Sequence, residues 1–338
     1  GGLLVTLLVV VVAGCGGETK TTTDTKTVGK GKGKIYVAVT GAGELKAGTG
    51  NMGLAVVDLE TKKVDMINIS DSKAPHGMIF TSDTKTAPNT RGRVATEEPK
   101  NVLLGNAEDG SVLVIDLKSK QSTQTVAAPS NAKLAICGMQ LAPNGNIYLS
   151  SMADGKVYPF DGKAYKFAGD GIGGSDATQS VCGIAWTADG KSAYLSNMFN
   201  PNDSSMAGYL AKVEWPSGKL IKKIENVTTA STSGSKPMEH QTEVTPDGKF
   251  MYVTDGIDGS VVKVDMATEQ KIKSVPVGKE PHSIVFSSDG KTAYITVRHE
   301  PVENESSIFV YDVEKDQVID RIPGIPAPLA CGLVLAEV

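Results

Sequence analysis

Short apolar runs separated by turn residues dominate the chain from about residue 34 to its end. The runs are roughly five to seven residues long, which is a usual length for a strand. No long stretch shows the helical recurrence of apolar residues at every third or fourth position. The pattern therefore predicts an all-β protein.

The predicted strands recur with a period of about 40 to 60 residues, which is typical of propellers and other repeat arrays. One unit is clear between residues 240 and 277, where a first strand is followed by the turn Pro246-Asp247-Gly248 and three further strands. The next unit begins at His282 and repeats this order. Four strands with such a hairpin between the first two make one blade of a β-propeller.

The first strands give the number of blades, and they start at residues 76, 137, 182, 240, 282 and 331. The N-terminal part supplies three strands, at 34–40, 53–59 and 63–69, with no first strand before them. The segment 331–338 is a first strand with no blade after it. Joining these parts completes a sixth four-stranded blade and closes the ring, so residues 34–338 are predicted to form a single propeller domain.

The repeats resemble the YVTN family of β-propeller repeats, which is named for segments such as Met251-Tyr252-Val253-Thr254 in this chain. The resemblance extends over roughly residues 34–338 and implies the fold rather than a function. Members of that family often have seven blades, so seven is the alternative to six. The third strands end in a recurrent aspartate, which we expect to cap a tight turn. These aspartates are Asp58, Asp116, Asp265 and Asp312.

Histidine and cysteine occupy the first position of every predicted first strand. The chain contains four cysteines and four histidines, and six of these residues are His76, Cys137, Cys182, His240, His282 and Cys331. First strands line the channel of a propeller, so a closed ring would bring these side chains together near one mouth of the channel. The same face would carry the long loops, and elaborated loops are where function usually resides.

A ring of thiolate and imidazole groups indicates a transition-metal site, because these donors suit copper and zinc and also iron–sulfur clusters. We expect four of the six side chains to ligate the ion. Copper is favoured and zinc is possible, because no local Cys-x-x-Cys pair typical of structural zinc is present. Met78 and Met139 lie two residues along their strands from ligand positions and could add a thioether, although packing explains them equally well.

Each of these residues also has an ordinary structural interpretation. A single histidine at such a position is often hydrogen-bonded to channel water, and cysteine can replace a small residue where strands converge. Three cysteines remain after Cys15, and an odd number cannot pair completely. At least one thiol is therefore expected to be free, buried or bound.

The N-terminal segment predicts export. Its apolar run, residues 3–13, is too short to span a bilayer and has the length of a signal-peptide core. The sequence Val12-Ala13-Gly14-Cys15 resembles a bacterial lipobox, which implies cleavage before Cys15 and acylation of its thiol. An ordinary secretory signal is the alternative. Residues 1–15 are thus the predicted lipoprotein signal, and residues 16–33, rich in Gly, Thr and Lys, a flexible tether.

Composition limits the partners and leaves two functions open. The net charge is −4 and no basic patch alternates with aromatics, so nucleic acid is not an expected partner. The predicted function is a membrane-anchored, extracytoplasmic propeller that binds a metal for redox catalysis or for metal or electron handling. The alternative is a non-catalytic platform for a protein or cell-surface partner. Aromatics make up only 5% of the chain, which disfavours a carbohydrate platform. Whether the protein is an enzyme stays undecided.

Overall fold

The computed structural model describes residues 31–41, 52–174, 177–198, 209–225, 227–228 and 239–338, without the side chains of Glu239 and His240. The predicted lipidation site Cys15, the predicted signal and most of the predicted tether lie outside these residues. Every regular element in the described part is a β-strand. No helix in this part is long and apolar enough to cross a membrane.

The strands form six antiparallel sheets, which we number as blades 1 to 6 and describe from the channel outwards. Blade 1 consists of Leu329–Ala336, Lys34–Thr40, Gly53–Asp58 and Val64–Asn68. Blade 2 consists of Pro75–Phe80, Asn101–Asn106, Val112–Asp116 and Gln121–Val126. Blade 3 consists of Ile136–Leu141, Ile147–Ser151, Lys156–Asp161 and Lys166–Phe167, with Ile172–Gly173 also paired to its third strand.

The last three blades follow the same order. Blade 4 consists of Val181–Trp186, Ser192–Asn197, Tyr209–Glu214 and Leu220–Ile224. Blade 5 consists of Glu239–Val244, Phe250–Asp255, Ser260–Asp265 and Gln270–Pro276. Blade 6 consists of Glu280–Phe286, Thr292–Arg298, Ser306–Asp312 and Gln317–Ile325.

The ring closes as the sequence predicts. The last strand, Leu329–Ala336, pairs antiparallel with the N-terminal strand Lys34–Thr40. Its other neighbours are the inner strands of blades 2 and 6, so the inner strands contact one another around a complete circle. The prediction of six four-stranded blades is therefore confirmed, and seven is excluded. Closure removes the exposed edges that an open array of sheets would present.

The hydrophobic core lies in the seams between neighbouring blades, with one buried cluster in each of the six seams. Tyr36 of blade 1 meets Phe80 of blade 2 edge to face, with ring centroids 6.3 Å apart. Tyr252 of blade 5 meets Phe286 of blade 6 in the same way at 5.2 Å. Each blade therefore buries both faces only when two neighbours are present, which explains why the repeats form one cooperative domain.

The recurrent aspartates at the ends of third strands cap turns, as predicted. Asp58 Oδ1 accepts a hydrogen bond from the backbone N–H of Thr61 at 2.8 Å. Asp116, Asp265 and Asp312 accept the equivalent bond three residues on, at 2.6, 2.7 and 2.9 Å. The backbone bond from Thr61 lowers the pKa of Asp58. These carboxylates therefore stabilise the turn between the third and fourth strands.

Blade 2 departs from the repeat between its first and second strands. A turn begins at the predicted position, where Thr84 N–H donates to Thr81 O at 3.0 Å. The chain then continues to residue 100 before the second strand starts, whereas the equivalent connections of blades 3 to 6 are short turns. Within this insertion, Val94–Ala95 pairs parallel with the end of Leu329–Ala336. The insertion thereby reaches the inner edge of blade 1.

Candidate metal centre

All six predicted ligand positions lie in a β-bulge of the inner strand. In blade 2 the pairing of the inner and second strands shifts between Pro75 and Met78, so His76 and Gly77 together face a single residue. The pairing shifts at the same place in the other five blades. A bulge bends its strand and changes the direction of its side chains. All six predicted ligand positions therefore share the same local distortion of their strand.

Glycine follows four of the six ligand positions, where neighbouring inner strands approach closely. A Cβ atom on Gly138 would lie 2.4 Å from the carbonyl oxygen of Cys182. A Cβ on Gly183 would lie 2.4 Å from the backbone nitrogen of Thr242, and one on Gly332 would lie 2.5 Å from His76 O. Such distances are well inside van der Waals contact. The repeated His-Gly and Cys-Gly dipeptides are therefore explained by the narrow channel.

A hydroxyl on the second strand holds several of the bulges in place. In blade 5, the N–H of Gln241 donates to Thr254 Oγ1 at 3.0 Å, and that hydroxyl donates to His282 O of blade 6 at 2.8 Å. In blade 3, Ser150 Oγ accepts from Gly138 N–H at 2.8 Å and donates to the Cys182 carbonyl of blade 4. Each hydroxyl satisfies a backbone N–H that the bulge removes from the ladder. It also links one blade to the next.

Four of the six predicted residues meet at the channel mouth. The ligand atoms of His76, Cys137, Cys182 and His282 all lie within 4.8 Å of one another, and all four residues are buried. The rings of His76 and His282 are 4.7 Å apart between centroids. His76 Nδ1 lies 2.8 Å from the carbonyl oxygen of Cys137, which leaves Nε2, 4.0 Å from Cys137 Sγ, as the nitrogen nearer the sulfur atoms. These four residues are the cluster that can hold an ion.

Cys137 and Cys182 are joined by a disulfide that connects the inner strands of blades 3 and 4. Cys331 is free and buried, in line with the odd number of cysteines in the domain. The sulfur atoms of a disulfide are not thiolates, and thiolate is the form of cysteine that binds metals. The full set of two imidazoles and two thiolates therefore exists only when this disulfide is reduced.

The group of four found among the described residues does not include the other two predicted ligands, His240 and Cys331. Residue 240 occupies the equivalent place in Glu239–Val244, but its side chain is outside the described part of the chain. Cys331 is not among the four converging residues, and its Sγ accepts a hydrogen bond from Arg298 Nη2 at 2.9 Å. Burial raises the pKa of the Cys331 thiol, but the charges of Arg298 and His76 outweigh burial and lower it to about 7.

The methionines near the cluster are not the ones that the sequence indicated. Met78 packs in the seam between blades 1 and 2, and Met139 in the seam between blades 2 and 3. The bulge inserts one residue, so positions two apart no longer share a face, and of the two explanations for Met78 and Met139 the structure shows packing. Met152 and Met198 pack against the two half-cystines instead. Both lie at the same position of the repeat, directly after the second strands Ile147–Ser151 and Ser192–Asn197, and this shared position is the signal by which the sequence could have indicated them.

Deeper in the channel is an ion pair that the sequence analysis missed. Arg93, from the insertion in blade 2, pairs with Glu243 on the inner strand of blade 5, and both side chains are only 3% exposed. Arg93 Nη2 also donates to Leu333 O at 2.9 Å and to Ser283 Oγ at 3.2 Å. Gln140 Nε2 donates to Glu243 at 3.1 Å. The only sequence signal was the basic pair Arg91 and Arg93 within an unusually long connection.

Comparison with known proteins supports the architecture and defines the class of protein as a six-bladed β-propeller. No family profile matches the chain. A structure of hydrazine synthase from Kuenenia stuttgartiensis aligns with a TM-score of 0.53 at 17% identity, covering 80% of each chain. A protein of unknown function from Bacteroides caccae aligns with a TM-score of 0.62 at 10% identity, covering 90% of this chain and 99% of that one. At these identities the likeness shows the fold alone.

Two further similarities complete the comparison. The structure of a nidogen/laminin complex aligns with a TM-score of 0.61 at 11% identity, covering 89% of this chain and 97% of that chain. In sequence, the chain is 27% identical over 145 residues to antigen Lp49 of Leptospira interrogans serogroup Icterohaemorrhagiae serovar copenhageni (strain Fiocruz L1-130). That match covers 40% of this chain and only 30% of the antigen. It marks a distant relative, and the resemblance to YVTN repeats stays a prediction.

Proposed function

We propose that this protein is an exported, lipid-anchored propeller that binds a transition metal, copper in preference to zinc, at the mouth of its central channel. The observation that carries the proposal is the convergence of His76, Cys137, Cys182 and His282 from four different inner strands. Their contribution would be to bind and orient the ion, with His240 and Cys331 as further members of the proposed ring. A bound copper ion would supply one-electron chemistry or act as cargo.

The dimensions of the cluster suit an ion after a small contraction. Ligands at about 2.0 to 2.3 Å from a tetrahedral ion lie roughly 3.3 to 3.8 Å from one another. The four ligand atoms lie within 4.8 Å of one another. Breaking the disulfide moves the two sulfur atoms apart to the spacing that an ion requires. Each ligand comes from a different blade and is held by its bulge, so the reduced site remains rigid.

Sulfur chemistry is the reason for preferring copper to zinc. Soft donors such as thiolate and thioether favour Cu(I). Met198 and the half-buried Met152 pack against Cys137 and Cys182, so a cuprous ion would have two thioethers near its thiolates. Structural zinc sites usually take their ligands from short local pairs, and here four ligands come from four separate blades.

Reduction is a necessary step in loading the site. A dithiol or phosphine reductant would transfer two electrons to the Cys137–Cys182 bond, and each sulfur atom would take up one proton. Metal binding would then displace these two protons, because the thiolates are the ligands. We therefore expect the dithiol form to bind copper and the disulfide form to bind none.

The direct test is a copper titration of the full chain in both oxidation states. Cu(I) held by a chromophoric chelator is added anaerobically to the oxidised protein and to protein reduced with a phosphine. We expect the reduced protein to take one equivalent from the chelator, the oxidised protein none, and reduced Cys137→Ser/Cys182→Ser none. Cys15→Ser is the matched control, since it removes a cysteine that lies outside the proposed ring. Equal uptake by reduced wild type and the double variant would refute the site, whereas equal uptake by both oxidation states would refute only its dependence on reduction.

Export and anchoring rest on different residues and need a separate test. A disulfide is typical of extracytoplasmic proteins, and a distant relative is called an antigen, so both support export. The lipobox-like Val12-Ala13-Gly14-Cys15 supports acylation of Cys15. We expect Cys15→Ser to move the protein from the membrane fraction to the soluble extracytoplasmic fraction. Retention of the exported variant in the membrane would contradict lipid anchoring through Cys15.

A further inference from the structure

Two of the six seams share the same polar contact on the side of the turns that join third and fourth strands. In blades 4 and 5, the third residue of the second strand is a tyrosine whose hydroxyl donates to an acidic side chain of the next blade. Tyr194 donates to Glu269 at 2.6 Å and Tyr252 donates to Asp316 at 3.0 Å. Each acid occupies the last residue of its turn, with a positive φ of 59° or 50°. This hydrogen bond joins blade 4 to blade 5 and blade 5 to blade 6.

Two lysines from the tyrosine's own blade complete each contact. Asp316 forms ion pairs with Lys263 at 3.2 Å and Lys273 at 2.7 Å. Glu269 forms equivalent ion pairs with Lys212 and Lys222. A carboxylate, a tyrosine hydroxyl and two ammonium groups thus satisfy one another, which makes a compact charge-assisted network.

The seam between blades 1 and 2 has the tyrosine but not the acid. Tyr36 is the third residue of its second strand, and the turn residue at the position of Glu269 and Asp316 is Lys120, with φ of 61°. Within the described part of the chain, the hydroxyl of Tyr36 has no hydrogen-bond partner, and Lys120 forms no ion pair. The acid that completes the network in the seams between blades 4 and 5 and between blades 5 and 6 is therefore absent here.

The seam is also open at this place. A groove of about 760 Å³ separates blades 1 and 2, which lies within the range of roughly 300–1,000 Å³ usual for small-molecule pockets. Apolar atoms of Tyr36, Val56, Ile67 and Leu117 line the groove. Lysines line it as well, at positions 34, 100, 118 and 120. The surface therefore combines apolar walls with a cluster of cations.

Two of the four lining lysines have a negative charge beside them, since Asp116 also lines the groove and the charge of Lys118 contributes to lowering its pKa. Lys34 pairs with Glu98 at 3.2 Å, and Asp65 pairs with Lys63 at 2.9 Å. Among the residues that the structure describes, Lys100, Lys118 and Lys120 form no ion pair. Lys62 occupies the same turn position in the seam between blades 6 and 1, and it differs from Lys120 in forming an ion pair, with Asp320 at 2.6 Å.

We propose that the groove between blades 1 and 2 binds a small carboxylic acid with an apolar body. Its carboxylate takes the place that Glu269 and Asp316 occupy in the seams between blades 4 and 5 and between blades 5 and 6, where it accepts a hydrogen bond from the Tyr36 hydroxyl and faces Lys120. Its apolar part lies along Val56, Ile67 and Leu117. This site is on the blade seam and is independent of the proposed metal cluster.

The test compares three ten-carbon probes that differ only in the head group: decanoate, decanol and decylammonium. Their binding to the full chain is measured by titration calorimetry at fixed ionic strength. We expect decanoate to bind at least about tenfold more tightly than decanol, the effect of one charge-assisted contact, and decylammonium to show no binding. Equal affinity for all three probes, or no binding of decanoate, would overturn the proposal.

Variants locate the binding of decanoate within the groove. Lys120→Met is expected to lower the affinity for decanoate by about tenfold and to leave the affinity for decanol unchanged, since only the charge is lost. Tyr36→Phe should lower the affinity for decanoate by a smaller factor. Lys191→Met, on a blade 4 turn outside the groove, makes the same change in net charge and is the control. If Lys120→Met binds decanoate as wild type does, or if Lys191→Met weakens it equally, the carboxylate does not occupy this seam.

Discussion

The channel mouth and the deeper channel are closed by different chemistry. At the mouth, four side chains from four inner strands converge, and a disulfide joins two of them covalently. Deeper in the channel, Arg93 enters from an insertion and binds Glu243, Ser283 and the Leu333 carbonyl. The guanidinium of Arg93 is bonded to other groups of the protein, whereas the mouth presents sulfur and imidazole donors that an ion can bind. The candidate site is thus built from one position of the repeat, and the contact deeper in the channel is built by the inserted loop.

The largest loss in the free energy of unfolding should come from breaking the ion pair between Arg93 and Glu243 in the deeper channel. Arg93→Met leaves Glu243 buried and unpaired, and loss of one partner of a buried ion pair costs about 3–5 kcal/mol. Burial raises the pKa of Glu243 against the opposing charges of Arg93 and Arg91, so the variant should hold this carboxyl protonated over a wider pH range. Denaturant unfolding measures the loss. Arg321→Met, which breaks an exposed ion pair with Glu300, is the control, and an equal loss in both variants would mean that the buried ion pair contributes no more than a surface pair.

A somewhat smaller effect is expected at the mouth. The Cys137–Cys182 disulfide closes a loop of 45 residues, and such a cross-link contributes about 2–4 kcal/mol, chiefly by restricting the unfolded chain. Cys137→Ser/Cys182→Ser should lower the free energy of unfolding by this amount under oxidising conditions. Under reducing conditions the difference from wild type should disappear. A difference that persists after reduction would mean that packing of the sulfur atoms, rather than the cross-link, stabilises the mouth.

The smallest effect concerns the hydroxyls that hold the bulges. Thr254→Val keeps the shape of the side chain but removes the acceptor for Gln241 N–H and the donor to His282 O. We expect a loss of about 1–2 kcal/mol, because a buried backbone N–H is left without a partner. The reduced variant should also bind copper less tightly, since the His282 bulge is less well held. Thr125→Val, on an exposed outer strand, should change stability by less than about 0.5 kcal/mol.

The sequence was informative wherever short-range chemistry decides the structure. Alternating apolar runs and Pro-Asp-Gly turns predicted the blades, and the unmatched segment from Cys331 predicted the closure. Asp58 and its equivalents cap turns because a short carboxylate reaches the backbone N–H groups two and three residues ahead. The recurrence of His or Cys at the first position of each first strand predicted a shared channel mouth, because every copy of a repeat occupies the same radial position.

Other features depend on residues that are distant in the chain, and no local pattern could predict them. The bulge places Met78 and Met139 in the seams, because one inserted residue turns the side chains that follow it to the opposite face of the sheet. Only the narrowness of a six-bladed channel brings Cys137 to Cys182 while Cys331 meets Arg298. The insertion had to fold across the ring before Arg93 could reach Glu243, 150 residues away. Sequence periodicity therefore determined the blades and the positions of the candidate ligands, whereas the tertiary structure decided which of them touch, because that choice depends on distances across the channel.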